Sequence, residues 1–487
     1  MAFPRYFVLC ILFLSLLRHS VSDSGVIGIN YGRIADDLPS PAKVVQLLKS
    51  QGITRVKLYD ADSTVLDALS GSGIATTVAL PNEKLSSAAA SQSFTDGWVQ
   101  SNVVPYKSII DAVAVGNEVF VDPANTTAYL VPAMKNVYAS LAKYGVASSV
   151  KVSSPIALSA LQSSYPPSSG SFKPELVEPV IKPMLSFLKQ TGSFLMVNAY
   201  PFFAYEANTD TISLDYTLFR DNKGVVDPNN GLVYKSLFEA QLDAVFAAMN
   251  AVSAGDVKVV VSETGWPSKG DEKEAGASAV NAAAYNGNLV RRVLTGGGTP
   301  LRPNEPLNVY LFALFNENQK PGPTSEKNYG LFYPNEQKVY DVPLTLAALA
   351  NGPMNNGSKA QVVPPTPAPS GGGGDVSTTT AGQTWCVANG DVGTEKLQLA
   401  LDYACGQGGA DCRPIQPEST CYNPNTLVAH ASYAFNSYYQ KNARASGSCY
   451  FGGAAYVVTQ PPSKHLLFPT INIFFNIKNL LLPIKFD

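Results

Sequence analysis

Eight short apolar runs, rich in β-branched residues, recur between residues 23 and 351 and alternate with stretches of helical spacing. The runs are 26–30, 55–59, 75–80, 112–118, 151–154, 194–199, 258–263 and 308–315. The stretches between them with apolar residues at helical spacing include 41–50, 128–143, 178–190, 237–250 and 277–294. Strands that alternate with helices predict a parallel sheet, and eight of them predict an α/β fold of the (β/α)8 barrel type. An open doubly wound sheet is the alternative.

Polar and aromatic residues gather where these runs end. Examples are Asn30-Tyr31, Tyr59-Asp60, Asn117-Glu118, Asn198-Ala-Tyr200, Glu263 and Asn316-Glu317. Active sites of such barrels lie at the carboxyl ends of the strands. The sequence therefore places a candidate site at that pole.

Cysteine usage divides the chain into two parts. Of six cysteines, Cys10 lies in an apolar N-terminal segment and the other five lie beyond residue 384. Arg5, the apolar run 7–17 and Ser20-Val21-Ser22 are typical of a signal peptide over residues 1–22. We therefore expect a secreted protein of the extracellular space or cell wall, where disulfides persist.

The predicted organisation has five segments. After the signal peptide come a cysteine-free barrel at 23–351, a Pro/Gly/Ser/Thr-rich linker at 352–383, a small disulfide-stapled and mainly helical module at 384–459, and an apolar tail at 460–487. Asn125-Thr-Thr and Asn356-Gly-Ser are N-glycosylation sequons in an exported chain. Polar residues interrupt the tail, so it fits membrane anchoring poorly.

The chemistry available to the barrel is narrow. The three histidines are His19, His430 and His465, so the predicted barrel has neither histidine nor cysteine. This excludes Ser–His–Asp and Cys–His catalysis and the usual zinc sites, and no phosphate-binding glycine loop is present. We expect no metal and no cofactor. Charged residues are 15% of the chain with a net charge of −2, and no basic run points to nucleic acid.

Two glutamates end apolar strands at the predicted site. Glu118 ends Ala112-Val-Ala-Val-Gly-Asn-Glu118, and Glu263 ends Lys258-Val-Val-Val-Ser-Glu263. Burial and a neighbouring carboxylate both raise the pKa of a carboxyl group, so one can act as acid while the other stays ionised. Paired carboxyl groups are the usual apparatus of glycosidic bond cleavage. These arguments do not decide which glutamate takes which role.

These motifs resemble plant glycoside hydrolase family 17. The resemblance rests on 113–119, on Val260-Val-Ser-Glu-Thr-Gly-Trp-Pro-Ser268, and on the segments 27–32, 56–60, 197–202 and 315–320, in order along the barrel. It implies endo-hydrolysis of β-1,3-glucan with retention, Glu263 as nucleophile and Glu118 as acid/base. It also implies contacts with the sugar chain or its catalytic groups from Asn117, Tyr31, Tyr59, Tyr200, Phe203, Glu317, Lys320 and Glu326.

The small module resembles carbohydrate-binding module family 43, through Trp385-Cys386-Val387, Cys421-Tyr-Asn-Pro424 and the segment 430–440. That family binds β-1,3-glucan. The resemblance implies disulfides Cys386–Cys449 and Cys405–Cys412, which leave Cys421 outside them. The family carries six cysteines, so the sixth is missing here. Helical patterns at 396–404 and 427–440 carry aromatic residues that are either core or a sugar-stacking surface, with core expected for at least two.

Three other functions stay open at this point. A β-1,3-glucanosyltransferase would use the same two glutamates, a silent wall-binding protein would use neither, and a mixed-linkage glucan is an alternative substrate. The expected partner is a β-1,3-glucan polysaccharide. Nothing in the sequence points to an obligate protein partner.

Overall fold

The computed structural model describes residues 24–351, and residues 384–458 except 391, 407–408, 418, 420, 443, 445–448, 450 and 452–453. Within these the chain forms two compact units. The predicted signal peptide, the linker, Asn356 and the tail lie outside the described residues. The segment boundaries drawn from the sequence therefore stay predictions.

The first unit is built on one parallel sheet. Its strands are β1 Ile27–Asn30, β2 Arg55–Lys57, β3 Ala75–Leu80, β4 Ile110–Val115, β5 Lys151–Ser153, β6 Pro155–Ala157, β7 Phe194–Asn198, β8 Lys258–Thr264 and β9 Val309–Leu311. Their order in the sheet is β5-β4-β3-β2-β1-β9-β8-β7-β6.

The sheet closes on itself. Its two end strands, β5 and β6, are separated by Ser154 alone, so they act as one interrupted strand between β4 and β7. Eight strand positions and their intervening helices form a barrel, and the predicted (β/α)8 fold is confirmed. The open doubly wound sheet is excluded. In such a sheet the two edge strands would not follow each other in the chain, as β5 and β6 do here.

Helices alternate with the strands, and most of them bury one face, whereas Leu237–Ala251 is buried nearly all round. The longer ones are Pro41–Ser50, Ser63–Leu69, Leu85–Ala90, Gln92–Asn102, Leu130–Lys143, Lys182–Gln190, Leu237–Ala251 and Ala279–Leu294, and Leu346–Asn351 follows the last strand. Side chains cap the amino-terminal ends of several helices. The Asp62 side chain, for example, accepts hydrogen bonds from the backbone N–H groups of Thr64 and Val65, as an N-cap residue does. Shorter helices are Pro174–Leu176, Pro201–Glu206 and Leu214–Thr217.

The barrel core differs from the apolar run expected of a buried parallel sheet. Fully buried polar side chains lie on the strands or directly after them: Asn30, Lys57, Thr77, Ser153, Ser154, Asn198 and Ser262. Buried polar groups require partners, and all of these side chains form hydrogen bonds within the barrel except Ser154, whose Oγ has no partner among the described residues. Asn30, for instance, donates to the backbone oxygen of Ser262 at 3.1 Å.

Strand β8 contains a bulge close to its carboxyl end. Val261 pairs with Val197 and Glu263 pairs with Asn198, so Ser262 is an extra residue opposite β7. A bulge turns neighbouring side chains toward the same region, which regular alternation along a strand would prevent. Ser262 and Glu263 are both buried, as are the residues on either side of them in the strand.

The second unit packs two helices, Thr394–Cys405 and Leu427–Lys441, against an antiparallel pair of strands, β10 Trp385–Ala388 and β11 Ala455–Val458. Disulfides join Cys386 to Cys449 and Cys405 to Cys412. Of the aromatic residues on the second helix, Phe435 and Tyr439 belong to the core, whereas Tyr433 and Tyr438 are partly exposed.

Candidate active site

A cleft of about 590 Å³ opens at the carboxyl ends of the barrel strands. The structure brings all ten predicted barrel residues into its lining: Tyr31, Tyr59, Asn117, Glu118, Tyr200, Phe203, Glu263, Glu317, Lys320 and Glu326. Tyr329, Phe312 and Arg33 also line it and were not singled out in the sequence. Asn125 lies apart from this lining, in an exposed turn after Glu118.

Glu118 does not end a strand as the sequence suggested. Strand β4 stops at Val115, and Gly116 and Glu118 both have positive φ, 68° and 50°. A left-handed backbone costs a non-glycine residue about 1 kcal/mol or more, so surrounding structure must hold Glu118 there. Its N–H donates to the carbonyl of Pro155, the first residue of β6, at 2.9 Å. The break between β5 and β6 thus helps to place Glu118.

Burial is the main cause that raises the pKa of Glu118, and the nearby carboxylate of Glu263 raises it further. An opposing effect comes from Asn198, whose side-chain Nδ2 donates to Glu118 Oε1 at 2.8 Å. Lys57 lowers the pKa of Glu118 to a smaller extent. The net result is a carboxyl group that holds its proton to higher pH than an exposed glutamate.

Glu263 has a different environment. Lys57 Nζ, only 1% exposed, donates to Glu263 Oε1 at 3.0 Å. The hydroxyl of Tyr200 donates to Oε2 at 3.0 Å. Both oxygens of Glu263 thus accept hydrogen bonds, one from a buried cation and one from a hydroxyl. Lys57 also lies over the ring of Tyr59, with Nζ 4.0 Å from its centroid.

Sequence reasoning missed Lys57. It lies within the apolar run that forms β2, and a lysine there requires a partner because burial of a lone charge is costly. That requirement was the available signal, but the partner is 206 residues away along the chain. Asn198 was noted only as a strand end, although it contacts the acid candidate Glu118 directly.

Asn117 is fixed by reciprocal hydrogen bonds with Asn82. The Asn117 N–H donates to Asn82 Oδ1 at 2.8 Å, and Asn82 Nδ2 donates to the Asn117 carbonyl at 3.0 Å. The backbone of Asn117 is therefore tied to the loop after β3, which leaves its side chain at the cleft.

The predicted charged cluster forms one wall of the cleft. Lys320 Nζ lies 3.0 Å from Glu326 Oε2 and 4.1 Å from the centroid of the Phe312 ring. Buried Glu317 accepts from the N–H of Ile34 at 2.8 Å, and burial raises its pKa. The cluster joins the loop after β9 to the loop after β1.

The aromatic residues form a connected set in which Tyr200 is central. Its ring contacts Phe203, Phe312 and Tyr329 at centroid distances of 5.6, 6.2 and 5.7 Å. Phe203 is 42% exposed and lines the cleft. Exposed aromatic faces beside carboxyl groups suit the apolar faces of sugar rings.

The described residues contain no group of three or more histidine, cysteine, aspartate or glutamate side chains placed to hold a metal ion. Over the same residues, no helix is both long enough and apolar enough to cross a membrane.

A closed parallel barrel with carboxyl groups in a cleft at the carboxyl ends of its strands defines a barrel-type glycoside hydrolase. Residues 27–344 match the model of glycosyl hydrolases family 17, and residues 384–456 match the X8 domain, the part that resembles carbohydrate-binding module family 43. The chain belongs to glycosyl hydrolases family 17.

Two plant relatives and one solved structure are similar to this chain. Glucan endo-1,3-beta-glucosidase 13 of Arabidopsis thaliana is 42% identical over 90% of this chain and 84% of its own length. Glucan endo-1,3-beta-glucosidase 12 of the same plant is 43% identical over 90% of this chain and 83% of its own. Among solved structures, CJP38, a beta-1,3-glucanase and allergen of Cryptomeria japonica pollen, is 40% identical with a TM-score of 0.63, and covers 66% of this chain and 99% of its own.

Proposed function

We propose that this protein hydrolyses internal β-1,3-glucosidic bonds of β-1,3-glucan with retention of configuration, with Glu263 as nucleophile and Glu118 as acid/base. The observation that carries the assignment of roles is the unequal environment of the two carboxyl groups. Glu263 has a buried ammonium group and a tyrosine hydroxyl on its two oxygens, whereas Glu118 has an amide and a raised pKa.

A nucleophile must be ionised before the reaction, and an acid must carry a proton. Lys57 stabilises the carboxylate of Glu263, and the negative charge of Glu263 in turn helps Glu118 to keep its proton. The sequence left the two roles open on physical grounds, and the position of Lys57 supports the assignment that the family resemblance implies.

The reaction then proceeds in two steps. Glu263 attacks the anomeric carbon while Glu118 transfers its proton to the departing glycosidic oxygen, which gives a covalent glycosyl-enzyme and a shortened glucan chain. Glu118, now a carboxylate, accepts a proton from water as the water oxygen bonds to the anomeric carbon and Glu263 leaves. This mechanism requires carboxyl groups about 5–5.5 Å apart.

The choice of β-1,3-glucan is supported by the relatives, whose printed names specify glucan endo-1,3-beta-glucosidase and beta-1,3-glucanase. An internal point of cleavage is supported by the names of the Arabidopsis thaliana relatives, which specify endo-1,3-beta-glucosidases. The module is proposed to bind the same polymer. Secretion through the predicted signal peptide, and glycans at Asn125 and Asn356, belong to the same proposal.

Product analysis on laminarin tests this function. We expect wild-type protein to release short oligosaccharides, with the β-anomer formed first in proton NMR spectra. Glu263→Ala should lower kcat at least about 1,000-fold. It should also lower the melting temperature, because it leaves Lys57 buried without its partner. Glu178→Gln, which alters an exposed glutamate, is the matched control. Products longer than the substrate would indicate glucanosyl transfer instead, and hydrolysis by folded Glu263→Ala would refute the nucleophile assignment.

Glu118 is tested with substrates of different leaving-group ability. Glu118→Ala should cleave an activated aryl β-glucan oligosaccharide far better than laminarin, because a good leaving group needs no proton. Added azide should raise the rate and give a β-glycosyl azide, since a small anion replaces the missing base. If the variant loses the same factor on both substrates and azide has no effect, Glu118 is not the acid/base.

A further inference from the structure

Asn198 connects the two sides of the catalytic cleft through its side-chain amide. Its Nδ2 donates to Glu118 Oε1 at 2.8 Å and to Asn117 Oδ1 at 3.4 Å. Its Oδ1 accepts from the hydroxyl of Ser262 at 2.7 Å. Asn198 is 2% exposed and Ser262 is fully buried. Both ends of the amide are thus engaged, one with the acid candidate and one with the residue before the nucleophile candidate.

The β8 bulge makes this contact available. In a regular strand, Ser262 and Glu263 would point to opposite faces of the sheet. Here the two residues together oppose Asn198 on β7. Ser262 therefore reaches the Asn198 amide, while Glu263 reaches Lys57 and Tyr200 at the cleft.

We propose that Ser262 and Asn198 are a pair of positioning residues: Ser262 orients the Asn198 amide, and the amide holds Glu118 Oε1 so that Oε2 exchanges the catalytic proton with the glycosidic oxygen and later with water. This proposal rests on the role given to Glu118 above. It assigns a function to two buried polar residues that touch neither the leaving group nor the attacking water.

Orientation matters because the two ends of an amide have opposite effects. An N–H directed at Glu118 favours its carboxylate, whereas a carbonyl oxygen there favours the protonated carboxyl group. The Ser262 hydroxyl donates to Oδ1 and so leaves Nδ2 for Glu118. Without that hydroxyl, Oδ1 loses its hydrogen bond, and only the contacts of Nδ2 with Glu118 and Asn117 remain to orient the amide.

The charged groups around Glu118 set the direction of the expected pH effect. Burial and the carboxylates of Glu263 and Glu326 raise the pKa of Glu118, whereas Asn198 and Lys57 lower it. Loss of the Asn198 amide therefore raises the pKa further. The alkaline limb of kcat/KM, which reports deprotonation of the acid in the free enzyme, should move to higher pH.

Four variants test the pair: Asn198→Ala, Ser262→Ala, the double variant and Ser262→Thr. For Asn198→Ala we expect the alkaline limb on laminarin to rise by roughly half to one pH unit and kcat to fall roughly tenfold, with KM little changed. Ser262→Ala should shift the limb in the same direction by less. The double variant should match Asn198→Ala, because Ser262 acts through Asn198. Ser262→Thr keeps the hydroxyl and should retain the wild-type profile.

A purely structural role would lower thermal stability and leave the limb in place. An unmoved limb in both alanine variants, or losses that add in the double variant, would overturn the proposal. Ser262→Ala removes only one hydroxyl, so it serves as the readout if Asn198→Ala does not fold. If Glu118→Ala and Glu263→Ala stay active on laminarin, the catalytic assignment itself has failed, which is a separate result.

Discussion

Lys57 accounts for the main difference between the environments of Glu118 and Glu263. Its ammonium group is almost fully buried and 3.0 Å from Glu263 Oε1. A buried ion pair adds little net stability, but removal of one partner leaves an uncompensated charge and costs about 3–5 kcal/mol. Lys57 and Glu263 therefore depend on each other inside the barrel, and Lys57 fixes the position of Glu263 Oε1 at the cleft.

At this scale we predict that Lys57→Met lowers kcat on laminarin by roughly 100-fold. Without the cation, Glu263 Oε1 loses its hydrogen bond, so the nucleophile is no longer held in place. Steady-state kinetics on laminarin measure this, with urea unfolding as the stability control. Lys57→Arg keeps a cationic donor and should retain more activity than Lys57→Met. Wild-type kcat in folded Lys57→Met would show that Lys57 does not act on the nucleophile.

Among the elements, helix Leu237–Ala251 carries an unusual buried carboxyl group. Asp243 is 1% exposed, and its Oδ2 accepts from the N–H of Leu301 at 2.8 Å, which joins the helix to the loop before β9. Burial raises the pKa of Asp243 to about 6. Asp243 thus ionises at a higher pH than an ordinary aspartate. It is not among the residues to which a catalytic role is assigned above.

The raised pKa of Asp243 predicts a pH-dependent stability. Folded protein retains this proton up to pH of about 6, whereas the unfolded chain releases it near the ordinary value of 3.8. The folded state therefore binds more protons in that window, and the contribution of Asp243 to stability falls as pH rises through it. At pH 7 the ionised, buried Asp243 lowers the free energy of unfolding by roughly 2–3 kcal/mol relative to low pH.

Asp243→Asn keeps an acceptor for Leu301 and removes the ionisation. We predict that the variant loses this fall in stability between pH 4 and 7 and is more stable than wild type at pH 7. Chemical unfolding at both pH values measures it, and Asp341→Asn, at an exposed aspartate, is the control. A wild-type pH dependence in Asp243→Asn would contradict the assignment.

For the whole molecule, the chain combines a catalytic barrel with a module that has its own core and disulfides. A tethered binding module raises the local concentration of enzyme at a polymer surface without new contacts in the cleft. The module should therefore raise the rate on an insoluble glucan and have little effect on the rate with a soluble one.

We predict that a chain ending at residue 383 retains kcat and KM on soluble laminari-oligosaccharides within about twofold, and loses much of its rate on insoluble β-1,3-glucan. Pull-down on the insoluble polymer and rates on both substrates measure this. Full-length Glu263→Ala is the control, since it should bind the polymer without cleaving it. An equal loss on both substrates would count against a separate binding role for the module.

The sequence alone determined the fold class and the kind of chemistry, whereas the structure established that the sheet closes into a barrel. Alternating strands and helices form a parallel α/β sheet because each strand and helix buries an apolar face against its neighbours, and such periodicity is local. The absence of histidine and cysteine from the predicted barrel restricted catalysis to carboxylates, lysine, tyrosine or a carboxylate-bound metal before any geometry was known. Family-like motifs supplied the ten cleft residues.

Only the tertiary structure decided how the environments of the cleft residues differ. Lys57 and Glu263, 206 residues apart, meet because β2 and β8 face the same barrel interior, and no local pattern encodes that distance. The left-handed backbone of Glu118 and the bulge at Ser262 depend on neighbouring strands, so the sequence placed both residues on regular strands. The protonation state of each carboxyl group follows from burial and from partners, and both exist only once the barrel has closed.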